Sequence, residues 1–114
     1  MDIEIEVWLT DIIISIDQIN DFMQQGTIQY NAYTNNLMLK KAVERNLEII
    51  GEASNRIVKK DPTISISGSR QAIAARNRII HSYEKISDEI IYGIVKRHLP
   101  LLRVEVENLL KQGN

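Results

Sequence analysis

Apolar residues recur every three or four positions through most of this 114-residue chain, and that spacing constrains the fold more than any other feature. An α-helix places side chains three and four apart on one face, so each such run predicts a helix with one buried side. The first run predicts a helix over residues 2–25, followed by Gly26 as a helix-terminating residue. Its buried face is predicted to consist of Ile5, Leu9, Ile12, Ile16, Ile19 and Met23.

A second helix is predicted over residues 34–60, after a polar connection at 26–34. Its apolar spacing alternates between four and three, which is typical of a tight seam between two helices. The positions in that seam are Val43, Leu47, Ile50, Ser54 and Ile57. Gly51 and Ala53 are small enough to let a neighbouring backbone come close.

Two further helices are predicted over residues 69–82 and 87–111. Between the second and third helices, residues 63–68 alternate isoleucine with threonine or serine, but no second strand candidate exists to pair with them, so a loop is predicted. Pro100 removes a backbone hydrogen bond and is expected to kink the last helix. The predicted fold class is all-α: one domain over residues 1–114, folded as an antiparallel up-and-down four-helix bundle.

Composition argues against several functional classes. The chain has no cysteine, which excludes disulfides and thiolate metal sites. The two histidines, His81 and His98, lack a carboxylate four residues further on, so we expect no metal and no cofactor; His98 is interpreted as a packed or interface residue. No apolar run approaches the roughly 20 residues that span a bilayer, and the N-terminus is acidic where a signal peptide would be basic. A cytoplasmic protein without a membrane partner is expected.

The small net charge of −1 conceals a strong asymmetry along the chain. Residues 1–25 contain six acidic residues and no basic ones, whereas residues 62–85 contain four basic residues and one acidic residue. A polyanion is therefore expected to bind near the third helix, and the acidic first helix would confine it to that side of the molecule.

The chemistry is concentrated in residues 75–83, which read Ala-Arg-Asn-Arg-Ile-Ile-His-Ser-Tyr. At about 100° per residue, Arg76 and Tyr83 lie roughly 20° apart on a helix, and Asn77 and His81 roughly 40° apart. The planar fork of arginine suits phosphate oxygens, and histidine exchanges a proton near neutral pH. The pattern indicates phosphate chemistry. The alternative is an ordinary polar face, with the tyrosine half-buried and the histidine bonded to a backbone carbonyl.

The spacing Arg-x-x-x-x-His-x-Tyr, with asparagine directly after the arginine, resembles the signature of the HEPN superfamily, small helical proteins of prokaryotic conflict systems. Residues 43–53, Val-Glu-Arg-Asn-Leu-Glu-Ile-Ile-Gly-Glu-Ala, are similar to the segment that precedes this signature in the HepT toxin branch. The Leu-Pro-Leu-Leu run at residues 99–102 fits as well, so the similarity covers roughly residues 8–110. Two positions depart from the pattern: Ile66 or Ser67 stands where many relatives have tryptophan, and Ser82 where glycine or glutamate is common.

The resemblance implies the toxin of a type VII toxin–antitoxin pair, a metal-independent endoribonuclease. On this chain Arg76, His81 and Tyr83 take the catalytic positions, with Asn77 as an accessory polar residue. Arg78 lies outside the fixed set and is predicted to contact the RNA backbone. One copy supplies one signature histidine for a reaction that moves two protons. A homodimer or higher homo-oligomer with a composite site is therefore expected, as the resemblance also implies.

The resemblance further implies a protein partner, a nucleotidyltransferase antitoxin of the MntA type. In HepT-like toxins that partner attaches AMP to the tyrosine that corresponds to Tyr83 and so silences the toxin. A second hypothesis stays open at this point: a non-catalytic helical module that binds a nucleotide or a protein partner.

Overall fold

A computed structural model describes residues 1–81 and 87–113, and only the backbone of residues 69, 80 and 81. In those residues the structure is helical and contains no strand, so the predicted all-α class is confirmed; residues 63–68 form a loop, as predicted. The elements are α1 (Ile3–Phe22), α2 (Tyr30–Thr34), α3 (Leu37–Lys60), α4 (Ser69–His81), α5 (Asp88–Gly93), a π-helical turn (Ile94–His98) and α6 (Leu99–Gln112).

The helices α1 and α3 pack side by side in opposite directions. Asp2 caps the start of α1, and its carboxylate accepts hydrogen bonds from the backbone N–H groups of Glu4 and Ile5. At the far end of α3, the Nζ of Lys60 lies 2.7 Å from Oε1 of Glu4 and 3.4 Å from Oδ2 of Asp2. All six predicted core positions of α1 and all five predicted seam positions of α3 are buried.

The last helix also runs antiparallel to α1. The guanidinium of Arg103 in α6 donates to both carboxylate oxygens of Asp17, at 2.8 and 3.1 Å. These hydrogen bonds lower the pKa of Asp17 below its ordinary value. Beyond the end of α1, the carbonyl oxygen of Gly26 accepts a hydrogen bond from Nζ of Lys96 at 2.6 Å. The antiparallel bundle is thus held by charged contacts at its rims and by apolar side chains inside.

The predicted connection at residues 26–34 contains a short helix that the sequence analysis did not predict, α2. Its Tyr33 is fully buried, with its ring centroid 5.7 Å from that of Tyr92 in α5. Burial raises the pKa of the Tyr33 hydroxyl well above its ordinary value. Five residues are too few to form a stable helix alone, so α2 is stabilised by this tertiary packing.

The irregularity expected at Pro100 takes the form of the π-turn that precedes it. The backbone N–H of Leu99 donates to the carbonyl of Ile94, five residues back. Proline has no N–H, and its ring clashes with the carbonyl four residues back, so a wider turn accommodates it. We call residues 88–112 (α5, the π-turn and α6) the C-terminal rod.

Candidate functional site

A close crossing at Gly51 fixes α4, the helix that carries the signature, against α3. A Cβ atom added at Gly51 would lie 2.5 Å from the carbonyl oxygen of Ala72 and would overlap the Cβ of Arg76. Only glycine fits between the two backbones at this distance. The prediction that Gly51 allows a close approach is confirmed, and the approach fixes the point from which the Arg76 side chain extends.

Arg76 is half-buried beside this crossing. Its Nη1 donates a hydrogen bond to Oδ1 of the neighbouring Asn77 at 3.0 Å. Its Nε is buried and has no acceptor among the described side chains and backbone. A buried donor without a partner is unfavourable. The structure thus brings together two of the predicted site residues.

The remaining signature residues are only partly within the described structure. The backbone of α4 ends at His81, whose side chain is not described, and Tyr83 lies outside the described residues. By helical register, position 81 falls seven residues after Ala74 and so on the same face, about 20° away. The arrangement of Arg76, His81 and Tyr83 as one site stays a prediction.

A groove of about 470 Å³ lies between α4 and the C-terminal rod. Ala74 and Ala75 form part of its α4 side, and the exposed Arg78 lines it as well. Opposite them are Arg97 and the half-exposed His98. Arg78 therefore lies on a different side of α4 from Arg76, whose Cβ faces α3.

The groove contains functional candidates that the sequence analysis missed. The sequence pattern assigns no role to Arg97, which lines the groove, and the interpretation of His98 as a packed or interface residue stays a prediction for a side chain that is half-exposed there. The available signal was the basic run Lys96-Arg97-His98. Its relation to Arg78 depends on how the helices pair, which the sequence spacing alone does not define.

Permanent positive charge on both walls of a groove is suited to holding a phosphate, because an arginine fork can donate two parallel hydrogen bonds to it.

In the described part of the chain, no three His, Cys, Asp or Glu side chains are grouped so as to hold a metal ion. Across residues 1–81 and 87–113, no helix combines the length and apolar character needed to cross a bilayer.

An antiparallel helical bundle whose sequence reads Arg-Asn-x-x-x-His-x-Tyr from residue 76 to residue 83 is typical of the HEPN class. A family model described as Ribonuclease HepT-like matches residues 12–109. The chain belongs to this HepT-like ribonuclease family, and the resemblance seen in its sequence is confirmed.

Several similar proteins match nearly the whole chain. One from Methanocaldococcus jannaschii, named "Putative RNase MJ1380", is 35% identical over 108 residues, 91% of this chain and 94% of that protein. A second from the same organism, "Putative RNase MJ1216", is 30% identical over 112 residues, 95% of this chain and 88% of its own length. The "Probable ribonuclease HepT" of Thermococcus cleftensis is 31% identical over 108 residues, with 91% and 94% covered.

Proposed function

We propose that this protein is a metal-independent endoribonuclease, the toxin of a type VII toxin–antitoxin pair. The observation that carries the proposal is the intact sequence signature at residues 76–83, in a chain that belongs to the HepT-like family. The permanent charge of the half-buried Arg76, and the basic groove on the other side of α4, add suitable electrostatics.

The proposed reaction cleaves RNA with its own 2′-hydroxyl. The 2′-oxygen forms a bond to phosphorus while the bond from phosphorus to the 5′-oxygen breaks, leaving a 2′,3′-cyclic phosphate and a 5′-hydroxyl. A base must take the 2′-hydroxyl proton, and an acid must protonate the leaving oxygen. We assign the two proton transfers to His81 from each copy of a dimer. Arg76 would stabilise the negative charge on the phosphorane, and Tyr83 would border the site. Asn77 orients the Arg76 guanidinium through its 3.0 Å hydrogen bond.

The direct test incubates the purified protein with bulk RNA in the presence of EDTA. Cleavage that leaves 2′,3′-cyclic phosphate ends is expected. Cleavage that appears only after Mg²⁺ is added would exclude the metal-independent mechanism. If RNA stays intact under both conditions, the second hypothesis, a non-catalytic module, is preferred.

A twofold dimer is proposed because a single copy supplies one signature histidine. On α6, Leu101 and Val104 are 69% and 57% exposed. They follow Arg97, which lines the groove, by four and seven residues and so extend the same side of the C-terminal rod. A second copy joined across this face would bring two signature helices near each other.

Light scattering in moderate salt is expected to show at least a dimer, and Leu101→Glu should shift the mass towards the monomer. Met38→Glu is the matched control, because Met38 is also highly exposed but lies on α3. A wild-type protein that stays monomeric at micromolar concentration and still cleaves RNA would contradict the composite site.

Regulation through Tyr83 is proposed from the resemblance. The antitoxin would transfer AMP from ATP to the tyrosine oxygen, with release of pyrophosphate. The resulting phosphodiester would place negative charge close to the signature arginine and repel an incoming RNA backbone at short range, where screening is weak.

Incubation with the antitoxin and ATP is expected to raise the intact mass by one or more AMP units and to stop cleavage. Tyr83→Phe should remove the mass gain, because it lacks the accepting oxygen. A mass gain that persists in Tyr83→Phe, or modified protein that cuts RNA at the full rate, would rule out this switch.

A further inference from the structure

We propose that the groove between α4 and the C-terminal rod is an RNA subsite: Arg78 and Arg97 bind a backbone phosphate, and the space above Gly93 admits the attached sugar and base. This proposal rests on the proposed ribonuclease function and extends it, because neither Arg97 nor Gly93 belongs to the signature.

The first argument is charge. Arg78 and Arg97 line the two walls of the groove, and neither forms an ion pair with a carboxylate in the described residues. Glu89 also lines the groove but lies outside ion-pairing distance of both. Two like charges that converge on one space repel each other unless an anion lies between them. A phosphate of the RNA backbone supplies that charge and accepts from both guanidinium groups.

The second argument is the glycine on the rod wall. Gly93 has ordinary helical dihedral angles, φ −62° and ψ −42°, so its backbone does not require glycine. A Cβ at this position would meet no atom of the described residues within 4 Å outside its own stretch of helix, so packing against them does not require glycine either. Glycine in a helix is less favourable than alanine by about 1 kcal/mol. Its effect here is to keep the groove open, in contrast to Gly51, where a Cβ would clash.

The third argument is size and lining. The groove volume of about 470 Å³ falls within the range of about 300–1,000 Å³ found for ligand pockets. Ala74, Ile90 and Ile94 provide apolar surface for a base or a sugar face. The carboxylate of Glu89 repels phosphate but accepts hydrogen bonds from a sugar hydroxyl or a base amino group. The lining therefore matches one nucleotide with its phosphate at the arginines.

The fourth argument is position. Ala74 lines the groove, and position 81 shares its helical face at the end of α4. A nucleotide bound in the groove would thus lie along the helical face that leads to the signature histidine. We infer that the groove holds a nucleotide next to the cleaved bond and aligns the strand for the reaction.

The binding experiment uses a short fluorescent single-stranded RNA with 2′-O-methyl groups, which lacks the attacking hydroxyl and cannot be cut. Arg97→Ala is expected to weaken binding roughly ten- to a hundredfold, in line with the loss of a charged hydrogen bond. It should also reduce the slope of log K against log salt by about 0.7, the value for one phosphate contact on a single strand. Arg45→Ala is the matched control, because it removes one exposed arginine that pairs with Glu48 on α3.

A second pair of variants tests the open space at Gly93. Gly93→Leu should fill the groove and weaken binding at least as much as Arg97→Ala. Gly93→Ala narrows the groove by one methyl group, so it should weaken binding less than Gly93→Leu, and it should melt at the same or a higher temperature because alanine is the better helix former. Thermal unfolding monitored by circular dichroism shows whether Gly93→Leu is folded, and Arg97→Ala tests the groove independently.

Cleavage kinetics separate the subsite from the reaction centre. Arg97→Ala should raise KM with little change in kcat, as expected when binding is lost equally in ground and transition states. If the wild type binds and cuts RNA but Arg97→Ala and Gly93→Leu behave like it, the subsite is wrong and the ribonuclease assignment stands. If these variants instead become monomeric in light scattering, the groove is an interface between two copies, which overturns the proposal. A wild type that neither binds nor cuts RNA refutes both.

Discussion

Replacing Arg76 or His81 by alanine is expected to lower the rate of RNA cleavage by roughly a hundred- to ten-thousandfold. His81 is assigned to proton transfer, and a positioned acid or base contributes an effect of this size. Arg76 is half-buried, and its guanidinium donates a hydrogen bond to Asn77 at 3.0 Å, so the position of its charge is restrained before substrate binds. Fixed charge of this kind stabilises a phosphorane more than mobile surface charge does.

The measurement is single-turnover cleavage of a defined RNA in EDTA, with circular dichroism melting of each variant. Arg76→Lys keeps the charge but loses the planar fork, so its rate should lie between those of the wild type and Arg76→Ala. Arg45→Ala should cut at the wild-type rate. A folded His81→Ala or Arg76→Ala variant that cuts at the wild-type rate would refute the assigned roles.

Gly51→Ala is expected to destabilise the protein by about 1–3 kcal/mol, the usual range for overpacking a core. The added methyl group would meet the carbonyl oxygen of Ala72 and the Cβ of Arg76. Both contacts involve atoms next to the backbone, so no side-chain rotation relieves them, and α4 must shift away from α3. Because Arg76 moves with α4, RNA cleavage should fall as well.

Thermal unfolding checks this expectation, and Gly93→Ala is the matched control. Both substitutions add one methyl group to a glycine in a helical segment, and only the Gly51 site is closed. For a domain of this size, each kcal/mol corresponds to roughly 2–8 °C in Tm. A Gly51→Ala protein that melts at or above the wild-type temperature would show that α3 and α4 are not in the close contact described.

The buried faces of α1 and α3 could be predicted residue by residue, because a helix with one buried side imposes its spacing on the local sequence. The glycine at the α3–α4 crossing was also predictable, since residue size limits how closely backbones approach. The helix around Tyr33 was not, because five residues carry too little periodicity and the helix depends on burial against Tyr92.

The candidate site also contains a part that the sequence predicts and a part that it does not. Arg76 and Asn77 are adjacent in sequence, so their proximity follows from the chain alone. Arg78 and Arg97 come together only because α4 packs beside the C-terminal rod, and spacing within one helix contains no information about that pairing. The family resemblance could not reveal Arg97 either, because the signature ends at Tyr83.

The number of residues in the π-turn before Pro100 determines which side chains of α6 face the core and which face solvent. Each residue in a helix rotates the following ones by about 100°, so a one-residue insertion between Ile94 and His98 would turn all of α6 about its axis. The side chains that now face the core, such as Leu102 and Val106, would move towards solvent, and the exposed Leu101 would approach the interior. Substitutions within this turn should therefore be tolerated more readily than changes in its number of residues. Among homologues, insertions and deletions should be tolerated in the loop before α4 sooner than in this turn.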